Sequence, residues 1–356
     1  MAIDDTAAIA RAESFVDGEM SEWTDAPKVT PEITVEETDT QRIIKVHLDG
    51  HRPSFFGNML PPGGWKFQAE AKATTVGLTP LCVLVSGDRG SKLLNVKDRG
   101  RISAPACLVH SNRDIEVEGG SITASSVQAV TSARGVISPQ AGTGAEPIRD
   151  PFANMLLIPP LTCSDGLKGL IGSGALLGKE YKNNDAPPPI PPGIHCGGIK
   201  VSGNARVVLQ PGEHWFVAGA LEIKENATLV GDDVVLFFDL ASKFDFKDQS
   251  TVNLEGRRSG RFAGIVMAAT RTNTQDFIVS SDNVDKLLGV IYVPNAKMIV
   301  DGKQDVARDS AWTVIVAREL QLKGSPSLII NADYTSSAVP VPEGVGPRPG
   351  GSTLVN

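Results

Sequence analysis

The sequence predicts a mainly β protein: a right-handed parallel β-helix (β-solenoid) over residues 80–335, preceded by a small α+β module with an N-terminal helix. Three observations predict it. A motif recurs, reading IKVSGNARVVL at 199–209, LEIKENATLV at 221–230, FDFKDQSTVNL at 244–254 and LQLKGSPSLII at 320–330. Its spacing is regular, with 22 positions from Asn204 to Asn226 and 23 from Asn226 to Gln249, the length of one coil of two or three short strands and their turns. The composition is rich in Gly (36) and Pro (24) and poor in aromatics (5%), as many short strands broken by turns require.

Taken in order, residues 5–20 (DTAAIARAESFVDGEM) read as a helix capped by Asp4 or Asp5. A charged linker from Trp23 to Pro31 follows. Residues 32–38 and 42–48 alternate apolar with polar, as half-buried strands do, and a long turn (FFGNMLPPGG) leads to a third strand, WKFQAEAKATTV. Residues 1–79 therefore read as a helix plus a three-stranded antiparallel sheet. Within the turn, Phe55, Phe56, Met59 and Leu60 form an apolar run between Pro53 and Pro61. It is either a docking loop for a partner or the contact between the small module and the solenoid.

From residue 80 onward short strands follow one another. VVLFF (234–238), GVIYV (289–293) and WTVIVA (312–317) have lost alternation, as strands covered on both faces do, and are expected in the inner wall. A β-sandwich would also space its strands every 8–12 residues, but it does not predict a shared internal motif. Between 139 and 198 the repeat is lost in a Gly-rich run and a Pro-rich one, which reads as an excursion over one face of the solenoid and the candidate for partner contact. Residues 336–356 read as a disordered tail.

The four cysteines are Cys82, Cys107, Cys163 and Cys196. Cys82 and Cys107 are 25 positions apart, about one coil, which places them on neighbouring rungs. Rungs stack about 4.8 Å apart, within reach of a disulfide. Cys163 and Cys196 bracket the Pro-rich run, and a bridge there would pin the base of the excursion, contributing about 2–4 kcal/mol. Two disulfides fit an oxidising, extracytoplasmic compartment. A metal is the rival reading, from the C-x2-H spacing of Cys107 and His110 and from His195 beside Cys196. Adjacent residues of an extended chain point opposite ways and rarely serve one ion, so no metal and no cofactor is expected.

The net charge of −7 argues against nucleic acid or anionic lipid as the main partner. No run of 18 apolar residues is present, and no signal peptide is visible. Asp232, Asp233, Asp239, Asp245 and Asp248, with Arg257, Arg258 and Arg261 further on, are the best candidates for a carboxylate-based active site. The competing reading is solvated turns, since Gly231-Asp232-Asp233 is turn sequence. His195-Cys196 as a nucleophile pair fails on geometry for the same reason as the metal. His47, His51, His110 and His214 read as scattered surface or strand residues. Gly172-Ser173-Gly174 lacks the strand and spacing of a phosphate loop. Asn226-Ala227-Thr228 matches a glycosylation sequon but falls on a solenoid turn.

Several stretches resemble the TadG-like proteins of the Flp (Tad) pilus assembly system: DDTAAIARA, PSFFGNML before a strand, LCVLVSG, IRDPFANM, GVIYVPNAKMIVDG and, most specifically, residues 192–238. The likeness runs along most of residues 5–330. It implies a pilin-like stalk for the N-terminal helix, continuous with a membrane anchor that this sequence lacks, and a bulk outside the cytoplasm. It implies partners among other Tad pilus or envelope proteins, with cell wall or surface polysaccharide as a further candidate, and an adhesive or cell-wall-contacting role. It transfers no catalytic residue. The expected function is thus a structural, non-catalytic part of a pilus or envelope system. The alternative is a β-helix polysaccharide lyase or hydrolase acting on an acidic glycan.

Overall fold

The computed structural model describes residues 9–10, 13–14, 16–18, 20, 27–37, 42–52, 64–75, 79–158, 163, 178–346 and 352–355. The chain divides into two compact units, residues 1–79 with 347–356, and residues 80–346.

In the first unit the described residues between 9 and 20 are helical. Lys28–Glu37, Arg42–Arg52 and Trp65–Thr75 form antiparallel strands in that order. Val29, Pro31, Ile33 and Val35 share one face with Ile44, Val46 and Leu48 of the next strand through direct pairing. A fourth strand, Ser352–Val355, pairs with Trp65–Thr75. The run Phe55, Phe56, Met59 and Leu60 lies outside the described residues.

The second unit is a parallel β-solenoid of about ten turns. Each full coil crosses three walls. For the coil at 199–217, Ile199–Val201 lies on the first wall, Arg206–Leu209 on the second and Gly212–Val217 on the third. Each strand pairs in parallel with its counterpart one coil on, Leu221–Ile223, Thr228–Gly231 and Val234–Phe238. The 22- and 23-residue spacings are these registers. Asn226 N–H donates to Gly203 O and Gln249 N–H to Glu225 O, so the motif's turns stack as the repeat requires. Inward side chains form one continuous lumen, with Phe216, Phe238, Phe244, Phe246 and Phe277 in ring contact along it.

Axial order departs from chain order. The coil containing Thr313–Gly324 does not end the tube. Its residues Ile315, Val316 and Ala317 pair with Val83, Leu84 and Val85, and Leu320–Leu322 pair with Leu94–Val96. Residues 81–143 therefore continue the winding of residues 178–330 in space, although they precede it in sequence. The joint holds through strand pairing with no covalent continuity. One end of the tube is the coil of Ser132–Arg134, Ile137–Ser138 and Gly142–Thr143, and the other is the coil of Lys179–Tyr181 and Gly193–Cys196.

This arrangement moves both ends of the expected 139–198 excursion inward, so that its described part is residues 144–158 and 163. Ile137–Ser138 and Gly142–Thr143 still belong to the first end coil. The Pro-rich run belongs to the other end coil, where Ile190 is buried and bridges Leu209. A terminal rung tolerates proline because its outer edge needs no N–H donors. The reading of a disordered tail from residue 336 is corrected over its described part in this unit, residues 336–346. Val339 and Val345 are buried, Trp312 Nε1–H donates to Val339 O, and Leu81 N–H donates to Val345 O.

The left-handed turn residues are chemically coupled. Asn183, Gly203, Glu225 and Asp248 occupy successive first-to-second-wall corners, each with φ between 58° and 67°. Gly203 N–H donates to Glu225 Oε2, and Glu225 N–H to Asp248 Oδ2. Each carboxylate caps the corner of the coil before it. Asp248→Ala removes the cap and places a Cβ without a polar partner at positive φ, so we expect a loss of about 1–2 kcal/mol in denaturant unfolding. Asp248→Asn, which keeps an acceptor and tolerates this φ, should lose well under half of that. Equal losses for the two variants would refute the capping role.

Candidate functional site

The third wall is apolar on both sides. In Val234–Phe238, Val234, Leu236 and Phe238 face the lumen, while Val235 and Phe237 join an outer cluster with Trp215, Val217, Val290, Tyr292 and Val316. This double burial is why VVLFF, GVIYV and WTVIVA carry no alternation. The excursion runs back along this wall as a strap from one end of the tube to the other. Asn112 holds Ile148 through two hydrogen bonds of 2.8 Å. Asp150 Oδ2 accepts from Tyr292 Oη at 2.8 Å and pairs with Arg271 at 2.8 Å, and Arg271 also donates to Phe152 O. Burial, with Asp150 adding to it, raises the pKa of the Tyr292 hydroxyl and keeps it a donor. The Phe152 ring meets Tyr292 edge-on at 5.3 Å. Arg261 donates to Leu156 O at 3.0 Å, and the strap ends on Cys163, bonded to Cys196 in the last coil.

Both disulfides pair as the spacing predicts. Cys82–Cys107 joins neighbouring rungs with a Cα separation of 5.7 Å, and Cys163–Cys196 has 5.8 Å. Cys107 Sγ and Cys196 Sγ are thereby committed, which removes the metal and nucleophile readings of both. Cys196 points to the strap, while His195 points into the lumen beside Phe216, the alternation that separates neighbours on a strand.

The five aspartates do not converge. Asp232 and Asp233 lie at a second-to-third-wall corner, Asp239 follows the third-wall strand, Asp245 is on the first wall, and Asp248 is at the next corner. They span about three quarters of a coil, so the winding itself disperses them around the tube. Asp232 and Asp233 meet basic residues one coil on, whereas Asp239 and Asp245 find partners within their own coil. Asp233 pairs with Arg257 at 2.8 Å and accepts from Arg258 N–H at 2.7 Å, and Arg258 also reaches Asp232. Asp245 pairs with Lys247 at 2.8 Å. Asp239 Oδ1 accepts from Ala241 N–H. Arg261 serves the strap.

A groove of about 400 Å3 opens on the second wall, lined among others by Asp232, Asn253, Glu255, Asp285, Lys286 and Asp309. Lys286 pairs with Glu255 at 3.0 Å, Arg258 with Glu255 at 3.2 Å, and Arg308 with Asp285 at 3.4 Å. Burial pushes the Glu255 carboxyl upward, but hydrogen bonds from Lys286 and Arg258 outweigh it and hold it below the ordinary carboxylate range. A carboxyl so held remains ionised at neutral pH, a poor general acid. Glu255, Asp285, Lys286 and Asp309 are absent from the sequence-level candidates. The loop 256–264 lengthens this coil and a register shift falls between Thr251 and Asn253 opposite Asn283 and Lys286, so their spacing departs from the repeat.

A second cluster lies in the lumen of the last coil. His195 Nε2 is 2.9 Å from His214 Nδ1, and His214 Nε2 is 2.8 Å from Gln210 O. The carbonyl fixes a proton on His214 Nε2, so His214 Nδ1 accepts from His195 Nε2–H. Burial drives the His195 pKa down to about 4, with the His214 and Lys179 charges adding to the effect, and burial also lowers that of His214. His110 and His214 are fully buried rather than superficial. No helix among the described residues is long and apolar enough to cross a membrane, and the described residues hold no group of three potential metal ligands.

No protein-family model, curated protein or solved structure matches the chain.

Proposed function

We propose that the protein is a structural, non-catalytic, extracytoplasmic component of a Tad/Flp-type pilus or envelope assembly, presenting the solenoid as a binding or packing surface. The observation that carries the reading is where the candidate catalytic groups go. Carboxylates of the turns cap neighbouring backbone N–H groups or pair with Arg and Lys one coil away. Their chemistry is consumed in holding rungs together. The two disulfides favour an oxidising compartment. The TadG-like resemblance supplies the system and its partners, other pilus or envelope proteins.

The chain's path refines the role. Pro80 and Gly346, where the chain enters and leaves the solenoid unit, flank the hydrogen bond from Leu81 N–H to Val345 O. A spacer would be entered at one tube end and left at the other. Entry and exit at one place near mid-length of the tube do not fit a spacer threaded end to end.

The groove at Asp232, Glu255 and Lys286 keeps the glycan-cleaving alternative in view, since it gathers acidic and basic groups on neighbouring coils. A screen on pectin, alginate, hyaluronan and peptidoglycan is expected to give no turnover. Cleavage that disappears in Glu255→Gln, with the fold retained, would reverse the reading. Co-purification of the protein from envelope membranes with pilus or cell-wall components is the positive test, and recovery without them would count against the assembly role.

A further inference from the structure

The sheet of the first unit has two unlike edges. Among the described strands, Lys28–Glu37 pairs with Arg42–Arg52 alone and forms one edge. It carries Pro31, which has no N–H to donate, and the exposed charges of Lys28 and Glu32. Proline and charge both keep an edge from pairing with another chain. The other edge is Trp65–Thr75, and the strand Ser352–Val355 covers it only from Lys72 to Thr75. Among the described residues, Trp65–Ala71 has no strand partner on that side, and it contains no proline.

This open stretch is complementary to itself. Two copies laid antiparallel and centred on Gln68 set Trp65 opposite Ala71, Lys66 opposite Glu70 and Phe67 opposite Ala69, each twice by symmetry. Trp65, Phe67, Ala69 and Ala71 share one face of the sheet through their pairing with Arg52, Gly50, Leu48 and Val46, so each large ring meets a small residue. Trp65 and Phe67 are 63% and 40% exposed, and both alanines are exposed. On the opposite face Lys66, Gln68 and Glu70 are exposed. Glu70 pairs at 2.9 Å with Lys72 of its own strand, and Lys66 has no ion-pair partner among the described residues. Centring the pair on Phe67 or Ala69 instead would lose the match of Lys66 with Glu70.

We propose that Trp65–Ala71 is a self-recognition edge: a second copy of this chain adds its own Trp65–Ala71 to it, antiparallel and centred on Gln68, and the two sheets become one across a two-fold axis. Main-chain hydrogen bonds supply the affinity, and the two Lys66–Glu70 pairs fix register and orientation. The inference concerns the first unit alone and does not depend on the pilus reading.

The test is sedimentation velocity of the full chain over a concentration series. It compares the wild type, Lys66→Glu, Glu70→Lys and an equimolar mixture of the two variants. An interface of this small size is expected to give a dissociation constant on the order of 10 µM for the wild type. Each variant sets like charges opposite one another at two places and should weaken the dimer by about ten-fold or more. In the mixed dimer every acidic position meets a basic one, so the mixture should return to within about three-fold of the wild type. Both replaced side chains are exposed, and far-UV circular dichroism checks that the variants fold. Should one not fold, the other decides together with Lys66→Glu/Glu70→Lys, which restores both pairs within one chain type. A wild type still monomeric at about 1 mM, a dimer indifferent to both reversals, or restored pairs that bind no tighter than the single variants would each overturn the proposal.

Discussion

Phe238→Ala should lower the stability of the solenoid by about 3–5 kcal/mol. Phe238 is 0% exposed and faces the lumen. Its ring stacks on Phe216 of the preceding coil at 5.2 Å and meets Phe244 and Phe277 edge-on at 5.6 and 5.5 Å. Truncation therefore strips partners from three neighbouring coils. Those coils are fixed by parallel ladders on all three walls, so the surroundings cannot collapse into the gap, and the cavity term adds to the transfer term. Leu240→Ala is the control, because Leu240 is 59% exposed and should change stability by less than about 0.5 kcal/mol. Both are read from guanidinium unfolding followed by far-UV circular dichroism. Each coil contacts only its neighbours, so the variant should also lose hydrogen-exchange protection first around 216–246. A loss below about 1 kcal/mol for Phe238→Ala would mean the lumen is not packed as described.

Much of the solenoid is legible in the sequence because a coil is a local object. The corner positions Asn204, Asn226 and Gln249, the apolar triplets beside them and the 25-residue interval between Cys82 and Cys107 all report contacts one coil away. The joint between Ile315–Ala317 and Val83–Val85 has no such signature. Its partners lie more than 200 positions apart, and nothing in either strand marks the other as its neighbour. The strap was recognisable as a break in the repeat, but its length was overstated because proline suggested a loop where it marks a tube end. The functional clusters were less legible. Searching for acids close together in sequence selected Asp232, Asp239, Asp245 and Asp248, which the winding distributes around the tube. Glu255 meets Lys286 across an interval lengthened by loop 256–264. His195 and His214 meet because 19 positions separate them across one short coil. The coil-length partner of His195 is Phe216, and His214 sits two residues short of that register, on the same inward face.

That histidine pair should make the solenoid acid-sensitive. The unfolded chain carries ordinary histidines with pKa near 6.5, whereas His195 in the fold is held at about 4, and His214 is lowered as well. Above about pH 6.5 both states are neutral there and the pair adds no pH dependence. As pH falls toward 4, the unfolded chain binds protons that the folded coil refuses, so stability declines through that window and levels off below it. For His195 alone the decline amounts to about 3 kcal/mol. The cause is geometric. Protonating either ring places a charge in the lumen beside Phe216, with Lys179 on the adjoining wall, and the His195 Nε2–H to His214 Nδ1 bond loses its acceptor if His214 takes the proton. His110, also lowered by burial, adds a separate contribution of the same sign. The measurement compares unfolding free energies from pH 7.5 to 4.5 for the wild type and for His195→Leu/His214→Leu. The double variant loses the hydrogen bond to Gln210 O and will start lower at neutral pH, so the slope is the readout rather than the absolute value. Its curve should be flatter than that of the wild type by about 2–3 kcal/mol across the window. Parallel curves would show that the pair titrates alike in both states and is not shielded in the tube.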